Sequence, residues 1–154
     1  MTIDKYILLK DITSDNWRTV ANLKVNRNQL DHIESNTQSL LEAVYDNDYC
    51  WTPKAILHNQ NYIGFTMYGD YNIKDKSIWL DRFMIDSNFQ GLGYGKASLD
   101  FIIKYLKENF NLKIIYLSVH DTNSLAIQLY ETFGFFNTQN IDPNNDELIF
   151  SYTV

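Results

Sequence analysis

The sequence predicts an α/β fold in which helices flank a mixed sheet. Two kinds of apolar pattern alternate along the 154 residues: short runs typical of strands and longer segments with helical spacing. Their order is one strand, two helices, three strands, one helix, one strand, one helix and two strands, which indicates an α/β arrangement around a mixed sheet. A chain of this length fits one compact domain, so we expect residues 1–154 to form a single domain.

The first half of the chain is predicted to contain two helices and four strands. Asp15 or Ser14 can cap a helix that begins near Trp17. The polar segment 59–61 separates two apolar runs and therefore predicts a tight turn between paired strands. The predicted elements are strand 6–9, helices 17–25 and 37–45, and strands 54–58, 62–68 and 78–85.

The second half is predicted to alternate helices with strands and to close on two strands. A helix that carries Ala97 and Tyr105 ends at Asn109. The nearly continuous apolar run 114–119 is typical of a buried strand. Gly134 is expected to end the next helix, 125–133, because glycine favours the left-handed backbone found after a helix. The closing strands are predicted at 135–140 and 147–152, on either side of the turn-rich segment 142–146.

Composition indicates a globular protein. The chain is 45% hydrophobic and 15% aromatic, and no apolar run approaches the roughly 18 residues that a membrane span needs. Its beginning lacks the pattern of a secretory signal. Cys50, the single cysteine, cannot form an internal disulfide and is expected to be at least partly buried. We therefore expect a soluble, cytoplasmic protein without a membrane partner.

The charge favours cationic partners over nucleic acid. The net charge is −6 and no basic stripe is visible, so a nucleic-acid partner is not expected. An acidic surface attracts cations at long range, although many proteins are acidic for solubility alone. The three histidines, His32, His58 and His120, lack the spacing of metal ligands, so no metal is expected.

Three glycines follow the predicted strand 78–85 and precede a helix: Gly91, Gly93 and Gly95. Glycine lets the backbone approach a ligand closely because it has no Cβ atom. The start of the following helix offers free N–H groups and the positive end of the helix dipole, which together favour phosphate. The segment therefore predicts a site for a phosphate-bearing cofactor.

Two common nucleotide motifs fit this segment poorly. A P-loop needs glycine at the position of Gln90 and serine or threonine at the position of Ala97. A dinucleotide fingerprint that starts at Gly91 needs its third glycine at the position of Lys96, and it opens an early strand–helix–strand unit. A nucleotide or dinucleotide site is therefore disfavoured.

The segment instead resembles the pyrophosphate loop of the GNAT superfamily of N-acetyltransferases. That loop has the pattern Gln/Arg-x-x-Gly-x-Gly/Ala, in which x is any residue. Gln90, Gly93 and Gly95 occupy its three defined positions. The segment 123–135 resembles a second hallmark of the superfamily, an asparagine followed by a helix with alanine and tyrosine and an aromatic-Gly-Phe exit. The resemblance is strong over residues 75–136 and implies a twisted, mostly antiparallel mixed sheet flanked by helices.

The resemblance also implies acetyl-CoA as co-substrate and a role for each matching position. Asn123 would contact the pantetheine, and Tyr130 would be the general acid for the CoA thiolate; without the resemblance, Tyr130 would be read as a packed aromatic. The strand backbone of Phe83, Met84 and Ile85 would bind the acetyl carbonyl and pantetheine. The pyrophosphate would be held by Gln90, Gly91, Leu92, Gly93, Tyr94, Gly95 and Lys96.

Asp81 is the candidate for the base side of the reaction. Alternation along a strand predicts that Trp79, Asp81, Phe83 and Ile85 share one face. Some superfamily members place a catalytic glutamate where this chain has Trp79, so the assignment to Asp81 is a departure from their pattern. A carboxylate in an apolar strand is costly unless it is paired or functional. A salt bridge to Arg82 is the alternative interpretation.

The acceptor is expected to be a polyamine or diamine. The segment 80–85 resembles polyamine acetyltransferases, in which an acidic residue at the position of Asp81 faces the substrate. Asp31 and Glu34 lie one turn apart if their segment is helical, and they would bind further ammonium groups.

An amino acid, a protein N-terminus or an antibiotic amine remains an alternative acceptor, and a non-catalytic acyl-CoA-binding module is an alternative class. A homodimer is the common assembly of the superfamily.

Overall fold

The computed structural model describes residues 5–154. Within this part of the chain, seven strands form one sheet, and four α-helices and two short 3₁₀ helices connect them. The strands are β1 Ile7–Asp11, β2 Thr52–His58, β3 Asn61–Asn72, β4 Ser77–Ile85, β5 Ile114–Val119, β6 Phe136–Ile141 and β7 Leu148–Thr153. The helices are α1 Trp17–Ala21, α2 Asn36–Tyr45, α3 Tyr94–Asn109 and α4 Ser124–Phe133, with 3₁₀ helices at Arg27–His32 and Ser87–Phe89.

The sheet is mixed and mostly antiparallel, which confirms the predicted fold class. Its strand order is β1-β2-β3-β4-β5-β7-β6. Every neighbouring pair is antiparallel except β4 and β5, which run parallel because α3 crosses over between them. The single parallel pair lies at the centre of the sheet.

Helices cover both faces of the sheet and bury one apolar cluster on each. On one face, α3 contributes Leu99, Ile102 and Leu106, which are fully buried against strand residues such as Ile56. On the other face, Val20 of α1 is fully buried with residues of β2 and β3. Burial of apolar side chains in these two layers is the main favourable term that holds the helices on the sheet.

The first helix is shorter than the sequence pattern predicts. It ends at Ala21, so the predicted extension to residue 25 is wrong. Two tertiary hydrogen bonds hold the chain out of the helix: the Lys24 amide donates to Asp86 Oδ1 at 2.8 Å, and the Lys24 carbonyl accepts from the Ser87 amide at 2.7 Å. The residue that precedes the helix is Asn16, not Ser14 or Asp15, and it makes no capping hydrogen bond.

Other boundaries agree more closely. Gly134 ends α4 with a φ of 99°, as expected for glycine after a helix. β3 continues to Asn72, beyond the predicted strand end at residue 68, so its connection to β4 is shorter than predicted. Cys50 is exposed, contrary to the expectation of burial, because it lies in the short connection between α2 and β2. Between residues 5 and 154, no helix is long and apolar enough to cross a membrane.

Candidate active site

The central parallel strands separate after three paired residues. β4 pairs with β5 only from Ser77 to Trp79, whereas its pairing with β3 continues to Ile85. The β5-facing edge of β4 is therefore unpaired from Leu80 onward. Unpaired strand N–H and C=O groups can hydrogen-bond an extended ligand as an added strand would.

The gap between β4 and β5 opens into a cavity of about 530 Å³. Small-molecule sites typically have volumes of roughly 300–1,000 Å³. We call the wall formed by residues 83–85, Gln90, Gly91, Gly95 and α4 the glycine-loop side. We call the wall that carries Asp31, Glu34, Asp81 and Glu147 the carboxylate side.

The glycine segment leads into α3 with a left-handed backbone. Gly91 and Gly93 have φ values of 75° and 85°, a region that other residues adopt only with strain. A Cβ atom at Gly91 would meet nothing within 4 Å, so the backbone is open at that point. Gly93 precedes α3, and no described side chain caps this helix. The first amides of α3 are therefore available to an anion.

Gln90 has a different local role from the glycines. Its Nε2 donates to the Ile85 carbonyl and to Gln29 Oε1, each at 2.8 Å. Its Oε1 accepts from Asn26 Nδ2, also at 2.8 Å. The Gln90 side chain therefore joins the end of β4 to the segment around the first 3₁₀ helix, and its backbone is what it can offer to a ligand.

The remaining expected cofactor residues surround this loop. Leu92 and Lys96 are exposed, and Tyr94 is half-buried. On β4, Met84 and Ile85 are buried, and Phe83 is half-buried. All three of these strand residues line the cavity beside the open edge of β4.

Two expected residues of α4 reach the same cavity. The Asn123 side chain caps α4 by accepting from the Ala126 amide at 3.3 Å. Tyr130 is 8% exposed and its ring packs edge-on against Phe135, with ring centres 5.7 Å apart. Burial, and then the charge of Glu147, raise the pKa of the Tyr130 hydroxyl, which therefore stays protonated at neutral pH.

Asp81 lies at a bulge in β4. Leu80 lies opposite Tyr68 of β3, and Arg82 lies opposite the adjacent Met67, so Asp81 is the extra residue. A bulge changes the direction of the side chains that follow it, and such bulges often adjoin functional sites. The sequence gives no direct sign of this feature, because it depends on the pairing with β3.

The bulge overturns the expectation of one shared face. Ile78 and Leu80, before it, pack in the same apolar cluster as Phe83 and Ile85, after it. The side-chain alternation therefore shifts by one residue between Leu80 and Phe83. Trp79 lies on the face opposite Phe83 and Ile85, so the prediction that these residues share a face is wrong.

Asp81 belongs to a partly buried charge cluster. Arg82 Nη1 lies 2.7 Å from Asp81 Oδ2, and Arg82 Nη2 lies 3.0 Å from Glu42 Oε2 on α2. Burial raises the pKa of the Asp81 carboxyl to about 6, with a further contribution from the charges of Glu42, Glu147 and Asp142 that the Arg82 charge opposes. The salt bridge that the sequence left as an alternative is therefore present, and the pKa of the carboxyl is raised in spite of it.

Glu147 is a cavity residue that the sequence analysis missed. Its Oε2 accepts from Ser118 Oγ at 2.7 Å and from Asn145 Nδ2 at 3.0 Å. Its charge raises the pKa of both Asp81 and Tyr130. The only signal in the sequence is an acidic residue at the start of the last strand, which is also typical of an exposed strand end.

Asp31 and Glu34 line the outer part of the cavity, where both are exposed. Asp31 lies in the first 3₁₀ helix, whereas Glu34 follows Ile33, whose φ of −148° is extended. The prediction that the two carboxylates lie one turn apart on a helix is therefore wrong, although both reach the cavity.

His32 connects the carboxylate side to the start of α4. Its Nε2 is 3.1 Å from Thr122 Oγ1, which is 2.7 Å from His120 Nδ1. Among residues 5–154, no three His, Cys, Asp or Glu side chains are grouped as metal ligands would be.

An open strand edge beside a glycine turn and a free helix start is suited to an extended cofactor that carries phosphate. A buried tyrosine hydroxyl and a carboxylate with a raised pKa line the same cavity. These features fit an enzyme that binds a phosphate-bearing cofactor in an extended form.

Comparison with known proteins identifies the family. The model of the acetyltransferase (GNAT) family matches residues 9–135, and the chain belongs to this family. It is 38% identical over 148 residues to a spermine/spermidine N(1)-acetyltransferase of Bacillus subtilis strain 168, covering 93% of this chain and 96% of that protein. A probable spermine N(1)-acetyltransferase of Bacillus subtilis subsp. natto matches equally, at 38% identity with the same coverage. The predicted acetyl-CoA-dependent N-acetyltransferase is thus confirmed, with acetyl-CoA as its co-substrate.

Solved structures agree in fold. A spermidine N-acetyltransferase of Vibrio cholerae, in complex with CoA and spermine, superposes with a TM-score of 0.74 at 21% identity, covering 96% of this chain and 95% of that one. An aminoglycoside acetyltransferase in complex with coenzyme A gives a TM-score of 0.79 at 14% identity, with coverages of 96% and 95%. At these identities the likeness is one of fold.

Proposed function

We propose that the protein acetylates a primary amine of a polyamine or diamine such as spermidine or spermine, as a single domain spanning residues 1–154. The observation that carries this proposal is the charge of the cavity. Four of its lining residues, Asp31, Glu34, Asp81 and Glu147, are carboxylic acids. Arg82 is the one lysine or arginine among the described lining residues, and it is already paired with Asp81 and Glu42.

The carboxylates extend from the inner to the outer part of the cavity. Asp81 and Glu147 are half-buried near the strands, whereas Asp31 and Glu34 are exposed at the outer wall. A substrate with ammonium groups along a flexible chain could place one amine at the inner carboxylates and another at the outer pair. The names of the two Bacillus relatives support the same class of acceptor.

The proposed chemistry begins with deprotonation. An alkyl amine with a pKa near 10.4 is neutral in roughly one molecule in a few thousand at pH 7, and only the neutral form attacks a thioester. Asp81 accepts the proton, directly or through an ordered water, since its raised pKa makes it a suitable base. The amine nitrogen then bonds to the acetyl carbon.

The glycine-loop side completes the reaction in this proposal. Unpaired N–H groups of β4 stabilise the oxyanion of the tetrahedral intermediate. Collapse of that intermediate breaks the carbon–sulfur bond, and the Tyr130 hydroxyl gives its proton to the CoA thiolate. The nitrogen loses its second proton to water, exchange with solvent restores Tyr130 and Asp81, and each turnover releases one proton. Asn123 contacts the pantetheine, and the segment 90–96 holds the pyrophosphate, mainly through its backbone.

CoA release measured with a panel of amines tests the proposal. Spermidine, spermine, putrescine, several amino acids, a peptide and an aminoglycoside are compared at equal concentration with the purified protein. We expect kcat/KM to be highest for a polyamine and to fall with added salt, which screens charges over about 10 Å at 0.1 M.

A higher kcat/KM for an amino acid, a peptide or an aminoglycoside would replace the polyamine with one of the alternative acceptors. CoA release with none of these amines would mean that the acceptor lies outside the classes tested. Sedimentation of the same preparation tests the homodimer that the superfamily resemblance implies.

A further inference from the structure

Lys5 lies over the glycine segment, although it is far from it in sequence. Its Nζ is 4.4 Å from the centre of the Tyr94 ring. A Cβ atom built on Gly93 would come 3.1 Å from Lys5 Cε and 3.9 Å from Lys5 Nζ. The lysine side chain thus crosses the bare backbone at the start of α3 and carries its charge to the free end of that helix.

The first strand holds Lys5 in this place. Ile7 pairs with His58 of β2, and His58 Nδ1 donates to the Tyr6 carbonyl at 3.0 Å. The His58 ring also packs on Tyr94, with ring centres 5.0 Å apart. The backbone beside Lys5 and the ring beneath its ammonium group are therefore fixed by the same contacts.

The electrostatic setting favours an anion at this point. Lys96 is the only charged residue of the segment 90–96, while the whole chain has a net charge of −6. A polyanion that approaches the free amides of α3 therefore needs a local cation more than it would on a neutral protein. An ammonium group has three N–H donors, and those that do not point at the aromatic ring are available to a phosphate oxygen.

We propose that Lys5 binds the pyrophosphate of CoA and is a cofactor residue of this enzyme. The inference rests on the proposed function, in which the glycine segment receives the pyrophosphate. Lys5 Nζ moves from the face of the Tyr94 ring to a phosphate oxygen when CoA binds. Lys5 thereby supplies a second positive charge beside Lys96, from a part of the chain outside the loop.

Calorimetric titration of Lys5→Gln with CoA analogues tests this assignment. CoA, dephospho-CoA, which lacks the ribose phosphate, and pantetheine, which lacks all phosphate, are compared; pantetheine is measured by competition. We expect Lys5→Gln to weaken the binding of CoA and dephospho-CoA by the same factor of roughly 5 to 20. This range runs from the upper end for an exposed ion pair to the lower end for a charged hydrogen bond. Pantetheine affinity should not change.

Two variants serve as controls. Lys5→Arg keeps the charge and should retain wild-type CoA affinity, since guanidinium also binds phosphate. Lys10→Gln removes the same charge from β1 at a lysine that lies over a different ring, 5.8 Å from the centre of Tyr62. We expect Lys10→Gln to leave CoA affinity unchanged.

The outcomes separate the two proposals. Three results would overturn the pyrophosphate contact of Lys5. They are a loss of CoA affinity with Lys5→Gln that is no greater than with Lys10→Gln, a loss of affinity for pantetheine as well, and a loss of affinity for CoA but not for dephospho-CoA. Equal affinity of the wild-type protein for CoA and pantetheine would overturn the pyrophosphate site itself, and the Lys5 proposal with it.

Discussion

The two sides of the cavity are assembled in different ways. Most of the glycine-loop side comes from one stretch of chain, the end of β4 and the turn into α3, completed by α4. The carboxylate side draws Asp31, Glu34, Asp81 and Glu147 from three separate regions of the sequence. The first side offers mainly backbone groups, and the second offers side-chain charges. A side built on backbone suits a cofactor of fixed chemistry, whereas side-chain charges can change with the acceptor.

Tyr130→Phe tests the chemistry assigned to the glycine-loop side and should have the largest effect. If the hydroxyl protonates the CoA thiolate, its loss should lower kcat by about 10²–10⁴-fold, the range for a positioned acid. The ring stays in place against Phe135, so acetyl-CoA affinity should change little. Single-turnover kinetics and calorimetry measure the two quantities, and near-normal turnover would assign the proton to water or another group.

Gly93→Asp and Gly93→Asn form a matched pair for the cofactor loop. Asp and Asn both tolerate the left-handed backbone at this position, where φ is 85°, so their strain is similar. The charge is the difference between them. Close repulsion of a phosphate at the start of α3 should weaken CoA binding by roughly 10- to 100-fold more in the Asp variant. Equal CoA affinity of the two folded variants would contradict a pyrophosphate at this site.

The sequence predicts the glycine-loop side well because its signal is local. Glycines at short spacing, a strand before them and a helix after them are read directly from residues 78–109, and the structure has these elements in that order. The roles assigned to the individual loop residues stay predictions. Gln90 illustrates why, because its hydrogen bonds to Asn26 and Gln29 come from a segment about 60 residues earlier.

The carboxylate side is harder to predict because pairing and packing determine it. The bulge at Asp81 depends on the register between β3 and β4, which an apolar run does not encode. Glu147 reaches the cavity because β7 pairs with β5, and no local pattern links it to Asp81. The extended backbone at Ile33 likewise separates Asp31 from Glu34 despite their helical spacing.

Glu147→Gln and Glu34→Gln should show graded effects on the acceptor. Glu147 is half-buried and Glu34 is exposed, so the loss of the Glu147 charge is less screened by solvent. We expect the KM for spermidine to rise roughly 5- to 20-fold with Glu147→Gln and only about 2- to 3-fold with Glu34→Gln. Glu131→Gln, at an exposed position of α4 outside the cavity, is the control for net charge. An equal effect of all three variants would contradict a role of the carboxylate side in acceptor binding.

Asp81→Asn should change the stability of the protein in a way that depends on pH. Burial raises the pKa of Asp81 from its ordinary value of 3.8 to about 6, so the folded state binds this proton more tightly than the unfolded state does. The group therefore favours folding fully below pH 4, and this contribution is lost as the pH rises through 6. At pH 7.5 the ionisation of Asp81 lowers the stability of the wild-type protein by at most about 3 kcal/mol. The gain in stability of Asp81→Asn should be smaller, about 1–2 kcal/mol, because the Asp81 side chain is 22% exposed and the variant loses the ion pair with Arg82.

The same ionisation should switch activity on while it lowers stability. If Asp81 is the base, kcat/KM of the wild-type protein should rise with pH through a pKa near 6. Asp81→Asn should abolish this rise of kcat/KM with pH and most of the activity. In urea unfolding, the variant should be more stable than the wild-type protein at pH 7.5 but not at pH 4. Loss of activity without the gain in stability at pH 7.5 would mean that the ion pair with Arg82 outweighs the cost of burying the Asp81 charge. If kcat/KM of the variant still rises near pH 6, the base is another group on the carboxylate side. Glu147 is then the first candidate, because it accepts a hydrogen bond from Ser118 and its charge raises the pKa of Tyr130.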